Sequence, residues 1–296
     1  MRPQFITPAI TVFDSVGQID PSGNEKLYDH LINGGIDGIV VMGSSGEFPA
    51  LTKKEMELLA ETAIACVKGR AQILVGASRM QAEETIEVAN FALKKGADAV
   101  MIISPYYFPV GQENLLSYYD RVAAGVDGPI LLYHYPGVTG CTMTAETVRT
   151  LAQRHDNIVG LKDTVTAFGH TRQLLNTVLP VRPEFRIYSG FDEFFALTAL
   201  SGGAGAIGGL SNLIPAHFSA WREAILSGDI TKMTELQQKT NQAMALYDIS
   251  SPFIPAMKRV LKWKGIIPSD TVRLPLLPLN QTQEASLNHL MTALNL

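Results

Sequence analysis

Lys162 closes a short apolar run, Asn157-Ile158-Val159-Gly160-Leu161, and Asp163-Thr164 follow it at once. A β-branched stretch that ends in a cation at a turn is what a buried strand shows when its last residue points into a site. Desolvation there weakens the hold of the amine on its proton, and a neutral lysine condenses with a keto group to form an imine. Taken alone, the residue also reads as a surface lysine that opens a loop, the commoner situation for this side chain. Useful neutral amine at pH 7 requires the lysine pKa, about 10.4 when unperturbed, to fall by roughly 3 units, or about 4 kcal/mol. Ile158, Val159 and Leu161 supply apolar surroundings for that fall. A nearby anion opposes it, so Asp163 is expected to turn its carboxylate away, towards substrate hydroxyls or supporting partners.

Other segment ends carry groups that suit the same chemistry. Met42-Gly43-Ser44-Ser45-Gly46-Glu47 offers two hydroxyls between glycines, where backbone N–H groups can face a small carboxylate. It also reads as a tight turn with capping serines. No Gly-Lys-Ser/Thr follows, so it is not a triphosphate loop, and the spacing G-x-S-x-G of a hydrolase elbow is missing. Tyr107 and Tyr133 are phenols at strand ends, able to pass protons to and from an imine centre or simply to pack. His134 falls on the opposite strand face from Tyr133 and reads as structural.

These groups need a scaffold that gathers strand ends. Strands are expected near 5–10, 37–41, 72–76, 98–103, 129–133, 157–162, 185–189 and 204–207, each followed by a helical pattern such as 52–68, 81–95 or 144–154. Thr52 with Glu55, and Thr144, mark helix starts; Gly69 and Gly96 mark stops. Eight strand–helix units with near-continuous apolar strands imply a parallel sheet under helices, and eight is the number that closes into a (β/α)8 TIM barrel. After residue 228 the strands cease, and 229–247, 252–264 and 281–295 look helical. The expected organisation is a catalytic barrel over 1–228 with a C-terminal helical extension, 229–296, packed on it. An open doubly wound sheet is the alternative. Gly203-Ala204-Gly205-Ala206-Ile207-Gly208 satisfies G-x-G-x-x-G, but it overlaps a strand where a nucleotide fingerprint follows one; close backbone approach at the barrel rim is the other reading.

Bulk properties exclude several classes. At 46% hydrophobic and 18% charged the chain can bury a large core, and its net charge of -4 without a basic tract argues against nucleic acid. No run of about 18 apolar residues suggests a membrane span, and Met1-Arg2-Pro3-Gln4-Phe5 shows no charged leader ahead of an apolar segment. Cys66 and Cys141 fit free thiols in a reducing compartment, so a soluble cytoplasmic protein is expected. The histidines show no H-E-x-x-H and the cysteines cannot complete a metal site, which counts against a metal-dependent aldolase. No metal or cofactor is expected beyond a covalent imine on Lys162.

Gly43-Ser44-Ser45-Gly46-Glu47, the Tyr106-Tyr107 pair, Tyr133-x-x-Pro136-x-x-Thr139-Gly140 and Gly160-Leu161-Lys162-Asp163-Thr164 together resemble the dihydrodipicolinate synthase / N-acetylneuraminate lyase family. The similarity runs in the family's order and spacing from Thr7-Pro8 to the helical tail. It implies a (β/α)8 barrel with a helical extension, assembled as a homotetramer (a dimer of dimers), working as a class I aldolase or lyase through a Schiff base with pyruvate or a related 2-keto acid. In that resemblance Lys162 forms the imine and Tyr133 shuttles protons. Ser44 links Tyr133 to Tyr107, which reaches in from a neighbouring subunit. Ser45 binds the pyruvate carboxylate, and the Ile207 carbonyl lines the pocket. Gly190 and Asp192, in Tyr188-x-Gly190-Phe191-Asp192-Glu193, and Asp163-Thr164 are implied substrate contacts.

Departures from the family pattern bear on substrate. Where the synthase branch has an arginine between Pro136 and Thr139, this chain has Val138, and losing that fork removes a charge-assisted pair of roughly 1.5–3 kcal/mol. Asp163-Thr164 is similar to the 2-keto-3-deoxygluconate aldolase branch, which makes a 2-keto-3-deoxy sugar acid the expected substrate, with pyruvate and an aldehyde as products. N-acetylneuraminate lyase and dihydrodipicolinate synthase (4-hydroxy-tetrahydrodipicolinate synthase) activities are the alternatives, and a dehydratase would share the imine. A non-catalytic barrel that binds a sugar acid is the reading from another class; intact Lys162, Tyr133, Ser44 and Tyr107 argue against it.

Overall fold

The computed structural model describes residues 2–295. Eight parallel strands follow one another around a closed barrel: β1 (Gln4–Pro8), β2 (Gly38–Val41), β3 (Gln72–Gly76), β4 (Ala99–Ile103), β5 (Ile130–His134), β6 (Ile158–Asp163), β7 (Arg186–Ser189) and β8 (Gly205–Ile207), which pairs back to β1. Helices cover the outside, so strands such as β2, β4 and β5 are buried at every position. That is why they read as unbroken apolar runs and not as an alternation.

Between the strands lie α1 (Pro21–Asn33), α2 (Lys53–Val67), α3 (Ala82–Lys95), α4 (Gln112–Gly125), α5 (Ala145–Arg154), α6 (Phe168–Val178), α7 (Phe195–Leu200) and α8 (Pro215–Ser227). Their limits have local causes. Thr52 and Glu55 exchange hydrogen bonds in a capping box before α2. The α3 helix has Glu83 and Glu84 in its first turn and Lys94 and Lys95 in its last, opposing the macrodipole, and stops at Gly96 with φ 111. Three further helices follow the barrel: α9 (Ile230–Ala243), α10 (Ile254–Trp263) and α11 (Gln281–Leu294). The expected helix 229–247 is shorter than its pattern, because Met244–Asp248 tightens into a 3-10 turn.

Phe5 at the start of the barrel stacks on Phe218 at 4.0 Å and meets Phe195 edge-on at 5.0 Å. With Trp221 these rings fill the space between the first strand and the last helices of the barrel. The G-x-G-x-x-G segment is β8 itself and its edges, which removes the nucleotide reading. At Gly205, with φ 122, an added Cβ would lie 2.0 Å from the Gln4 carbonyl oxygen, so close approach of β1 is what demands the glycine. Among the described residues, no helix is long and apolar enough to cross a membrane.

Candidate active site

Strand alternation decides which side chains reach the barrel interior. Tyr133 on β5 and Lys162 on β6 are partners in the parallel register, and His134 and Asp163 are partners one residue later. The first pair faces the interior; the second faces the helices. Lys162 is only 5% exposed, with Nζ 4.5 Å from the centre of the Tyr133 ring. Tyr133 Oη and Ser44 Oγ lie 3.3 Å apart, a contact in which either hydroxyl can donate. They open on a cavity of about 480 Å³ whose wall also holds Ser45, Thr164, Gly190, Asp192 and Ile207.

The loop after β2 is held under strain. Ser44–Gly46 forms one 3-10 turn between two left-handed residues, Met42 (φ 57) and Glu47 (φ 55). Such a conformation costs a non-glycine residue about 1–2 kcal/mol and persists where the surroundings over-determine it. Here the buried Glu47 carboxylate pairs with Lys258 of α10 and accepts the Arg273 backbone N–H at 3.0 Å. Across the cavity, Gly190 leaves room for Thr164: a Cβ there would lie 1.9 Å from Thr164 Oγ1.

Electrostatics favour a reactive amine. Burial pushes Lys162 down to about 8, against a smaller upward pull from Asp192. At pH 7 about one amine in ten is then neutral. Burial raises Asp192 to about 6, although Tyr247 Oη donates to it at 2.6 Å and the Leu210 N–H at 3.1 Å. Tyr133 is raised by burial with Ser44 pulling the other way. The phenol therefore keeps its proton at neutral pH and can hand it on only as it receives another.

Of the ten residues singled out from the sequence, eight meet at this cavity. Asp163 does not. Its carboxylate lies on the outer face of β6, where His134, His170 and Thr171 take it up; its expected contact with substrate hydroxyls is corrected to a supporting role behind the strand. The anion that acts on the amine is Asp192. Nor does Tyr107 reach the cavity of its own chain. It is 80% exposed, left-handed at φ 81, and packed edge-on against Phe108.

Some wall residues escaped the sequence reading. Tyr135 stacks near Tyr133, with centroids 6.1 Å apart; two residues along the same strand end, it was open to detection by alternation. Tyr247 and the segment Ser250–Ile254 belong to the helical tail and close the mouth, a part that reads in sequence as packing alone. A larger groove of about 710 Å³ at the opposite barrel end holds Lys68, Arg70 and Lys95. Lys95 is paired with Glu61 and Arg70 with Asp29, and this barrel face ordinarily serves stability.

The chain matches a model of the family described as the dihydrodipicolinate synthetase family over residues 2–294. It is 36% identical to YagE of Escherichia coli K12, provisionally named a 2-dehydro-3-deoxy-D-gluconate aldolase, over 98% of this chain and 96% of that one. Identity is also 36% to YjhH of the same organism, provisionally named a 2-dehydro-3-deoxy-D-pentonate aldolase, over 97% of this chain and 96% of its relative. The solved structure of YagE in complex with pyruvate, a prophage protein of the dihydrodipicolinic acid synthase family, superposes with a TM-score of 0.96 at 35% identity, covering 99% of both chains.

Proposed function

The chain belongs to the dihydrodipicolinate synthetase family, and from that premise we propose that it is a class I aldolase that splits a 2-keto-3-deoxy sugar acid into pyruvate and an aldehyde, or joins the two. The observation that carries this reading is the buried amine of Lys162, lowered to about 8, beside the Tyr133–Ser44 hydroxyl pair.

Neutral Lys162 attacks the C2 carbonyl, and loss of water leaves an iminium whose nitrogen draws electrons. The C4 hydroxyl gives up its proton to the Tyr133–Ser44 relay as the C3–C4 bond breaks. The bonding pair moves to the iminium nitrogen, giving an enamine and a free aldehyde. The enamine takes a proton at C3, and water releases pyruvate and the amine. Ser45 and the strained loop hold the substrate carboxylate, which orients the keto carbon. Tyr107 of a neighbouring copy completes the relay in a homotetramer; its exposure together with that of Phe108, which it packs against, and of Val138 supports that assembly. No metal or cofactor enters the reaction, and the free thiols of Cys66 and Cys141 suit the cytoplasm.

The wall supports a polyhydroxy aldehyde over a charged one. Among the described residues it carries no arginine; Val138 and the Asp192 carboxylate both line it. An aldehyde with its own carboxylate would meet an anion and find no fork to bind it. The provisional names of YagE and YjhH, and the pyruvate held by YagE, point the same way.

Reduction with cyanoborohydride in the presence of pyruvate, followed by peptide mapping, tests the imine. The adduct is expected on Lys162, with a trapping rate that rises about tenfold per pH unit and levels off near pH 8. No adduct, or one elsewhere, removes the mechanism. An aldehyde panel then separates the branches: glyceraldehyde should be condensed, while N-acetylmannosamine or aspartate semialdehyde as the preferred partner would move the chain to the lyase or synthase branch. Tyr133→Phe keeps the ring and loses the hydroxyl, so kcat should drop about 10²–10⁴-fold with the trapped adduct still forming. Steady-state kinetics with an unchanged kcat would remove the relay.

A further inference from the structure

We propose that His170 is a positioning residue for Lys162: a standing imidazolium that cancels the charge of Asp163, so that the carboxylate next to the amine along β6 does not hold the amine's proton. The inference rests on the imine reading of Lys162 and adds to it a control of when that amine is neutral.

The protonation states follow from the partners. His134 Nε2 accepts the Met143 backbone N–H at 3.2 Å, so this nitrogen carries a lone pair. Its Nδ1 therefore bears the hydrogen and donates it to Asp163 Oδ1 at 2.7 Å; His134 is neutral. His170 is placed differently. Its Nδ1 lies 3.0 Å from each Asp163 oxygen, and its Nε2 lies 2.9 Å from the Met143 carbonyl oxygen. A carboxylate and a carbonyl only accept, so both ring nitrogens must donate, and a histidine with two N–H groups is a cation. Thr171 Oγ1 donates to Asp163 Oδ2 at 2.7 Å and completes the shell.

The surroundings add no competing charge. From β6 the ring meets Asp163. From β5 it meets neutral His134, with centroids 4.7 Å apart. Ahead of α5 it meets the Met143 carbonyl, while Glu146 and Arg149 on that helix pair with each other at the surface. Arg172, the next charged residue on its own helix, is exposed. The three side chains hold ligand-type atoms within 4.8 Å of one another, but the His134 lone pair is used and His170 has none, so the cluster is built for protons and not for a cation. Burial works against the cation, yet Asp163 more than offsets it and raises His170 above its ordinary value. Burial likewise works against the carboxylate, and His134 and His170 outweigh it to hold Asp163 at about 2.

Nitrogen-resolved NMR of the intact native chain is the first test, since it needs no variant: His170 should carry both ring protons at pH 7, and a neutral ring there overturns the proposal. His170→Asn comes second, because its amide can still donate to Asp163 but brings no charge. The acid limb of pyruvate trapping should move up by about one pH unit, so that trapping at pH 7 slows about tenfold. Adding Asp163→Asn should bring the limb back. A folded His170→Asn chain with the native limb overturns the proposal. Absence of any adduct in the native chain shows before a variant is made, and strikes the imine reading instead.

Discussion

A Lys162→Met chain is expected to lose turnover by about 10⁴- to 10⁶-fold and yet to resist urea better than the native chain at pH 7. Methionine occupies nearly the same volume but has neither nucleophile nor charge. The stability gain follows from proton linkage. Burial holds the folded amine at about 8, below its ordinary value of 10.5, so the folded chain binds this proton more weakly than the unfolded chain does. Below about pH 8 both states carry the proton, and the folded state bears the whole cost of a cation kept from water. The cost shrinks as pH rises through that value and is gone above about 10.5. A fall of this size corresponds to about 3 kcal/mol. That figure already contains the opposing pull of Asp192; the ammonium's attraction to the Tyr133 ring is also lost in the variant, which leaves a net gain of about 1–3 kcal/mol. Urea unfolding of both chains at pH 7 and pH 10 measures it, and the difference should narrow at the higher pH. A variant no more stable than the native chain at pH 7 would mean that the amine is solvated, and measurable turnover would mean that it is not the nucleophile.

What was legible in the sequence was whatever depends on period and on strand ends. The run before Lys162 showed a buried strand because helices cover the barrel, and the same argument placed β2, β4 and β5. Alternation separated His134 from Tyr133, and the register bears this out with His134 opposite Asp163 and Tyr133 opposite Lys162. Contacts between distant segments were not legible. The carboxylate of Asp163 satisfies its hydrogen bonds through His170, seven residues along and a helix start away, and no periodicity marks a histidine near the start of α6 as its partner. Tyr247 donates to Asp192 across 55 residues, from a 3-10 turn that a helical pattern over 229–247 conceals. Tyr107 is a separate case: its side chain lies exposed against Phe108, outside the cavity of its own chain, and nothing in the local pattern marks that direction.

The second large effect is expected where the tail meets the anion loop. Lys258 is fully buried, pairs with Glu47, donates to the Thr271 carbonyl at 2.8 Å and lies 4.4 Å from the centre of the Phe13 ring. Burial lowers its pKa, with Glu47 pulling the other way. Lys258→Met leaves the Glu47 carboxylate buried without its counter-charge, at a cost of about 3–5 kcal/mol, seen as a lower urea midpoint. Replacing both, as Glu47→Gln with Lys258→Met, removes the stranded charge and should recover most of the loss. Arg273 ties the same region down: its guanidinium donates to the Gly17 carbonyl at 2.7 Å and to Ala50 at 3.1 Å, and pairs with Glu55. Because Glu47 ends the turn that carries Ser44 and Ser45 in a left-handed conformation, slackening its anchor should also raise KM for the keto acid more than it lowers kcat. Midpoint and KM need not move together if the tail only packs. A Lys258→Met chain with a lowered midpoint and a native KM would confine α10 to stability, whereas a rise in both places the tail among the parts that hold the substrate carboxylate in line with Lys162.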